Sequence, residues 1–300
     1  MTESDIPIIA ARWLHFLSLA IVFGASLFSF YAVPRALAPC VSFQRTTDRV
    51  IKLCAYIALV SGVLWVSASI VLMADDPAQL LDAQTLADFF FGTSFGPIMV
   101  TRIALLAALA GIASALRRGR LVATRRGVIA VIAALTLASQ AWLGHAAMAN
   151  GGELGIELGC YIVHVLAAGA WIGSLVPLAF LSAEEPASEN YAKILHRFSE
   201  VAMGLVGAIL VTGIANSAFR LDAPQALLAT RYGHTILVKA CLFLVMLAIA
   251  AVNRWHLLPH VTDDGSHALC ALRRNILAEH LLSALVLLVA AMLGILPPQI

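Results

Sequence analysis

Charge is scarce in this 300-residue chain: Asp, Glu, Lys and Arg together make up 12% of it, where a soluble domain carries about a quarter. The polar stretches between its apolar segments are roughly 10–25 residues long, too short to bury a core of their own. The formal net charge is only +2, and the basic residues are dispersed over short loops, which argues against nucleic acid as a partner. The five cysteines, Cys40, Cys54, Cys160, Cys241 and Cys270, include no Cys-x-x-Cys pair and match neither a disulfide framework nor a structural zinc site. No Gly-Lys-Ser/Thr loop is present to cradle a nucleotide. The opening Met-Thr-Glu-Ser-Asp lacks the basic stretch of a cleavable signal, so the first apolar segment is expected to remain as a helix. Paired carboxylates are missing from the apolar segments, where Glu279 is the one acid placed for a proton relay. No nucleophile stands out with a matching base, and the chain is not expected to be an enzyme.

What is abundant is hydrocarbon: 61% of the residues are hydrophobic and the mean hydropathy is +0.91. Crossing a bilayer as a helix takes about 20 apolar residues. Eight segments qualify, near Ile8–Val33, Leu53–Met73, Pro97–Leu116, Gly127–Leu143, Leu158–Leu181, Val201–Ala218, Thr235–Val252 and Ile276–Leu296. The expected fold is an all-α polytopic membrane protein. Fourteen of the 19 Lys and Arg residues fall in or beside the loops after spans one, three, five and seven, among them Arg45, Arg49, Arg117, Arg118, Arg125, Arg126, Arg273 and Arg274. Basic residues are retained on the cytoplasmic side, so both termini are expected outside. Asp75, Asp76, Asp82 and Asp88 then lie in an acidic outer loop.

The two halves of the sequence echo each other. His15-x-Leu17-x6-Gly24 in span one answers to His164-x-Leu166-x6-Gly173 in span five. Phe95-Gly96-x5-Arg102 opens span three as Tyr232-Gly233-x5-Lys239 opens span seven. Gly62 to Ser67 in span two is matched with Gly207 to Thr212 in span six. Four crossings return the chain to the side it started from. The halves, 1–150 and 151–300 of one transmembrane domain, are therefore expected to form a parallel repeat about an axis along the membrane normal.

An ionisable side chain inside a span is costly and is a functional candidate by default. On this topology His15 and His164 lie about two turns below the outer surface, while His145 and His234 mark outer helix ends. Cys160 shares a helix face with His164, and Met148 would share one with His145. Imidazole, thiolate and thioether suit copper, Cu(I) above all. The candidate metal ligands are accordingly His15, His145, His164, Cys160, Met148 and His234. Each also has a plainer reading: His234 as an interfacial residue, Cys160 and Met148 as packing residues, and the histidines as hydrogen-bond partners of a neighbouring helix. Arg12, Arg102 and Lys239, near outer helix ends, are adequately explained as snorkelling cations. Gly169-x3-Gly173 has the pattern of close helix packing.

Taken together, Arg197-Phe198-Ser199, Thr212-Gly213, Tyr232-Gly233, Lys239, Asn253-Arg254, the opening Arg12-Trp-Leu-His15 and Gly144-His145-Ala146 resemble the copper-resistance protein D (CopD, PcoD) family, over nearly the whole chain. That resemblance implies an eight-span inner-membrane protein that moves copper from periplasm toward cytoplasm, or helps to load copper proteins. It also implies a small periplasmic copper-binding partner of the CopC kind. This sequence has no Met-rich outer segment for copper entry. A rival of another class is a haem-binding electron-transfer protein, in which His15 and His164 clamp a haem b iron from two helices.

Overall fold

The computed structural model describes residues 5–33, 41–115, 122–143, 152–184, 189–261 and 265–297. Among them are eight helices long and apolar enough to cross a membrane. They are α1 (Asp5–Tyr31), α2 (Val41–Ala74), α4 (Phe95–Ser114), α5 (Val122–Ala138), α6 (Gly152–Glu184), α7 (Glu189–Ala218), α9 (Arg231–Val252) and α10 (Gly265–Leu293). Two short helices, α3 (Ala83–Gly92) and α8 (Ala226–Ala229), precede α4 and α9. All eight expected spans are present. With no water in the hydrocarbon to satisfy an unpaired backbone group, helices running the width of the bilayer are the outcome that such apolar segments permit.

The helices outrun the hydropathy-based spans at several ends. Helix α2 starts at Val41, twelve residues before Leu53, and α7 starts at Glu189, twelve before Val201. Hydropathy marks only the part that meets lipid; these extensions are polar and are held by side-chain bonds instead. Arg126 of α5 donates from Nε (3.0 Å) and Nη2 (2.5 Å) to Asp48 Oδ1 of α2. Arg197 of α7 donates to the Tyr31 carbonyl at 3.2 Å. The expected fourth span ends as a 3₁₀ turn, Ser139–Leu143. The acidic segment between α2 and α4 is also ordered. Asp76 accepts from the Ala78 amide at 2.9 Å and Asp82 from the Thr85 amide at 2.7 Å, so two of its aspartates are helix caps. The Thr85 amide and hydroxyl hold the Asp82 carboxyl below its ordinary range.

Helices α1 and α6 form the middle of the bundle. Their most apolar stretches are 56% and 67% buried within the protein, against 6% for α9, whose side chains are left for lipid. The two central helices cross where both lack side chains. A Cβ added to Gly24 would lie 2.6 Å from the Cα of Gly173, and one added to Gly173 would run into the Ala20 carbonyl oxygen. Ser174 Oγ donates to the Gly24 carbonyl at 3.0 Å across the same crossing. Glycine here permits backbone-to-backbone approach, the device by which helices associate in lipid without a hydrophobic driving force.

Candidate metal site

The two intramembrane histidines of the central helices are held differently. His15 is fully buried on α1 and points to α2 and α4. Its Nδ1–H donates to the Ala58 carbonyl at 3.0 Å, and its Nε2 accepts from Arg102 Nη2 at 2.8 Å. That network assigns a neutral ring with its Nε2 lone pair engaged. Arg102 itself is only 2% exposed. Its Nη1 donates to the Thr136 carbonyl at 2.7 Å and to Ser139 Oγ at 2.6 Å, and its guanidinium lies 5.5 Å from the Trp65 ring centroid. The snorkelling expectation therefore fails for Arg102. The cation runs inward, because a carbonyl, a hydroxyl, an imidazole nitrogen and an aromatic face together replace its water. Arg12, half-buried, reaches the Gly294 carbonyl at 3.2 Å and stacks over Trp65 at 5.0 Å.

His164, on α6, faces α7. Its Nδ1–H donates to Thr212 Oγ1 at 3.0 Å, and the Thr212 hydroxyl donates in turn to the Ala208 carbonyl at 2.5 Å. Because Thr212 has spent its proton, Nδ1 of His164 carries one and Nε2 keeps its lone pair. The Ile209 backbone also bonds the ring, as Ala58 bonds His15, and no side chain among the described residues bonds Nε2. Lys239 occupies the sequence position corresponding to Arg102, but no hydrogen bond joins it to His164; Lys239 and Arg220 act on the ring only through their charge. Cys160, one turn earlier and half-buried, lies on the same seam, where Asn216 Nδ2 approaches its carbonyl at 3.5 Å.

The surroundings of the two rings correspond closely. A Cβ on Gly62 would touch the His15 ring and one on Gly213 the His164 ring, each at 3.4 Å. Ser61 and Thr212, the preceding residues, both bond back to their own helix. Gly207, which the sequence pattern matched with Gly62, faces open space. The correspondence therefore runs from Gly62 to Gly213, six residues further along, since glycine-containing apolar stretches align about as well in either register. At the start of the later spans, Thr93 Oγ1 accepts from the Gly96 amide at 3.1 Å and Thr230 Oγ1 from the Gly233 amide at 2.9 Å. A Cβ on either glycine would collide with the backbone of the short helix before it, at Phe90 or at Ala226 and Leu227.

Of the other candidates, His234 is exposed, and its Nε2 bonds the Leu228 carbonyl at 2.9 Å, tying α9 to α8. His145 and Met148 lie outside the described residues. The two rings bond to different helices, His15 to α2 and α4 and His164 to α7. Among the described residues no three of His, Cys, Asp and Glu gather as a metal cage. A haem clamped by His15 and His164 would require His15 Nε2 to give up its bond to Arg102.

Comparison with known proteins follows the same lines. Residues 1–156 match the family model described as copper resistance protein D-like, N-terminal domain, and residues 192–293 match that of copper resistance protein D. The chain belongs to the copper-resistance protein D family. Among its relatives, the copper resistance protein D of Pseudomonas syringae pv. tomato is 28% identical over 97% of this chain and 96% of its own length. The inner membrane protein YebZ of Escherichia coli (strain K12) is 26% identical, over 97% of this chain and 98% of that protein. The copper transport protein CutJ of Bacillus subtilis (strain 168) is 29% identical over 69% of this chain, which spans 38% of CutJ.

Proposed function

We propose that this family member is a copper-handling protein of the bacterial inner membrane, taking copper at its outer end and passing it toward the cytoplasm, with His164 as the first ligand. One observation carries the choice: of the two imidazoles deep in the outer half of the bundle, His164 alone keeps an uncommitted nitrogen, aimed by its Nδ1–H bond to Thr212. Fixing the second ring nitrogen in this way is how proteins set a histidine's tautomer for a metal. Cys160 on the same helix face supplies a soft second donor, and His145 and Met148 are the further candidates. Copper reaches His15 only by displacing Arg102 from Nε2. Few strong ligands suit an ion that has to be released.

The charge around the site bears on the oxidation state. Arg12 and Arg102 act on His15, and Lys239 and Arg220 on His164; no carboxylate offsets them at either ring among the described residues. Coulomb repulsion doubles from a monocation to a dication, so the cargo is Cu(I), handed over by a periplasmic carrier of the CopC kind. Two four-span repeats related by an axis along the membrane normal, with both termini outside, complete this reading. The paired surroundings of His15 and His164 and the shared Thr–Gly turns before α4 and α9 support it.

Competition with a Cu(I) chelator on the purified protein tests the assignment. His164→Ala should abolish high-affinity binding, and Thr212→Val, which removes one acceptor of the ring and leaves the Ile209 carbonyl, should weaken it by about 10-fold. Wild-type affinity in His164→Ala would refute the site.

A further inference from the structure

At the end of the bundle opposite the chain termini lies a cavity of about 50 Å³ whose lining includes Trp171, Phe198, Ser199, Asn253, Arg254 and Glu279. That is room for a water molecule or two. Glu279 is 3% exposed and sits within α10, well inside a spanning helix. Its Oε1 accepts from Asn253 Nδ2 at 3.1 Å, and Asn253 Oδ1 accepts from Asn275 Nδ2 at 2.7 Å, which fixes the amide so that its NH₂ faces the acid. Arg254, the cation lining the same cavity, does not pair with Glu279. Its Nη1 donates to Ser199 Oγ at 2.6 Å, and among the described residues Glu279 forms no ion pair. An ionised carboxylate with one neutral donor in such a place is far costlier than the acid form.

The backbone at this point is also irregular. Helix α9 passes into a π-helical turn over Asn253–Leu257, which carries both Asn253 and Arg254. Single π turns inside α-helices recur at functional sites, because they expose backbone groups and move side chains by a fraction of a turn. Here the turn brings an amide and a guanidinium to one cavity beside a buried acid. The groups packed around Glu279 are otherwise without charge: Trp171 and Leu178 from α6, Phe198 and Ser199 from α7. On α10 itself the neighbouring His280 bonds the Ile276 carbonyl through Nδ1 at 2.7 Å, and Arg273 bonds the Ser182 carbonyl.

We propose that Glu279 is a proton-binding site: it is held as the neutral acid between Asn253 and the cavity, and exchanges its proton with the side opposite the termini when water enters past Arg254. The reaction is a plain protonation, one H⁺ taken up by a carboxylate and given back. When the cavity hydrates, Arg254 can leave Ser199 for the ionised carboxylate, so the same event that frees the proton creates an ion pair. The cavity beside Glu279 is lined in part by α6 and α7, the helices that hold His164 and Thr212, so copper binding and the proton step share two helices. The proposal deepens the copper reading, yet its first test involves no copper.

Infrared spectra of the protein in lipid nanodiscs, in H₂O and D₂O, read the acid directly. Near neutral pH the wild type should show a protonated-carboxyl C=O band that shifts in D₂O and fades as pH rises. Glu279→Gln keeps the shape and the carbonyl that accepts from Asn253, so it should fold and lack the band. Asn253→Ala should move it. Absence of the band from the wild type, or its persistence in Glu279→Gln, would overturn the proton site. Copper uptake into vesicles under an imposed pH gradient then tests the coupling: wild-type uptake should respond to the gradient and Glu279→Gln uptake should not. An equal response in both would overturn coupling while leaving copper binding at His164 to stand or fall by its own titration.

Discussion

Arg102 brings a full positive charge into an apolar bundle with no acid to meet it, and His15 is one of the groups that make this tolerable. Removing the imidazole would leave a buried guanidinium N–H unsatisfied, at a cost of about 1–3 kcal/mol and more because the donor is charged. His15→Ala should therefore lower the thermal stability of the detergent-solubilised protein, and Arg102→Ala should restore part of the loss when combined with it; strictly additive effects would show that the pair is not coupled. In the second half the ring at the matching position is aimed by a threonine and left open. Two histidines that look equivalent in the sequence are thus held by different partners. Their sequence contexts match, and what separates them is one residue on another helix, Arg102 against Lys239, whose reach becomes visible only in three dimensions. The sequence assigned His15 and His164 to spanning helices and singled out Glu279 as an acid inside a span, which the structure finds buried. It could not show that Arg102 turns inward, since a guanidinium near an apolar helix end looks the same whether it seeks water or a carbonyl 34 residues away.

At the level of elements, hydropathy located all eight spans because each is a long apolar run that has nowhere else to go. It could not find the ends of α2 and α7, whose polar first turns are held by Asp48 and the Tyr31 carbonyl, nor the short helices α3 and α8, which are too brief to carry a periodicity. The small-residue pattern at Gly169 and Gly173 was legible; its partner, Gly24 on α1, was visible only as a match in the other half. The crossing is the element-scale feature most open to test. Gly173→Leu would force a side chain against the Ala20 carbonyl, and overpacking of this kind costs typically 1–3 kcal/mol. Reduced yield of folded protein and a lower melting temperature in detergent are expected. By contrast Gly204→Leu, at a position with open space around it, should be neutral in the same assay.

For the molecule as a whole, the distribution of arginines predicts which way it sits. A periplasm-specific enzymatic reporter fused after Ile300 should be active, and a fluorescent reporter that matures only in the cytosol should stay dark there; the opposite pair of results would invert the bundle. On this orientation the outer end holds Arg12, Arg102, Arg220 and Lys239 around the two imidazoles, and the inner end holds Arg126, Arg197, Arg254 and Arg273, each tied to a neighbouring helix. Of the three buried arginines among the described residues, Arg102 and Arg220 bond backbone carbonyls, while Arg126 pairs with Asp48.

The bare meeting of Gly24 with Gly173 has a mechanical meaning as well. No side chain projects from either glycine at that spot, and the Ser174 hydroxyl is what bonds across it, so a small change in the angle between α1 and α6 meets little steric resistance. Translation along the seam would drive Ala20 into its neighbour at once. Two glycines facing each other between the central helices therefore make a contact that turns more readily than it slides.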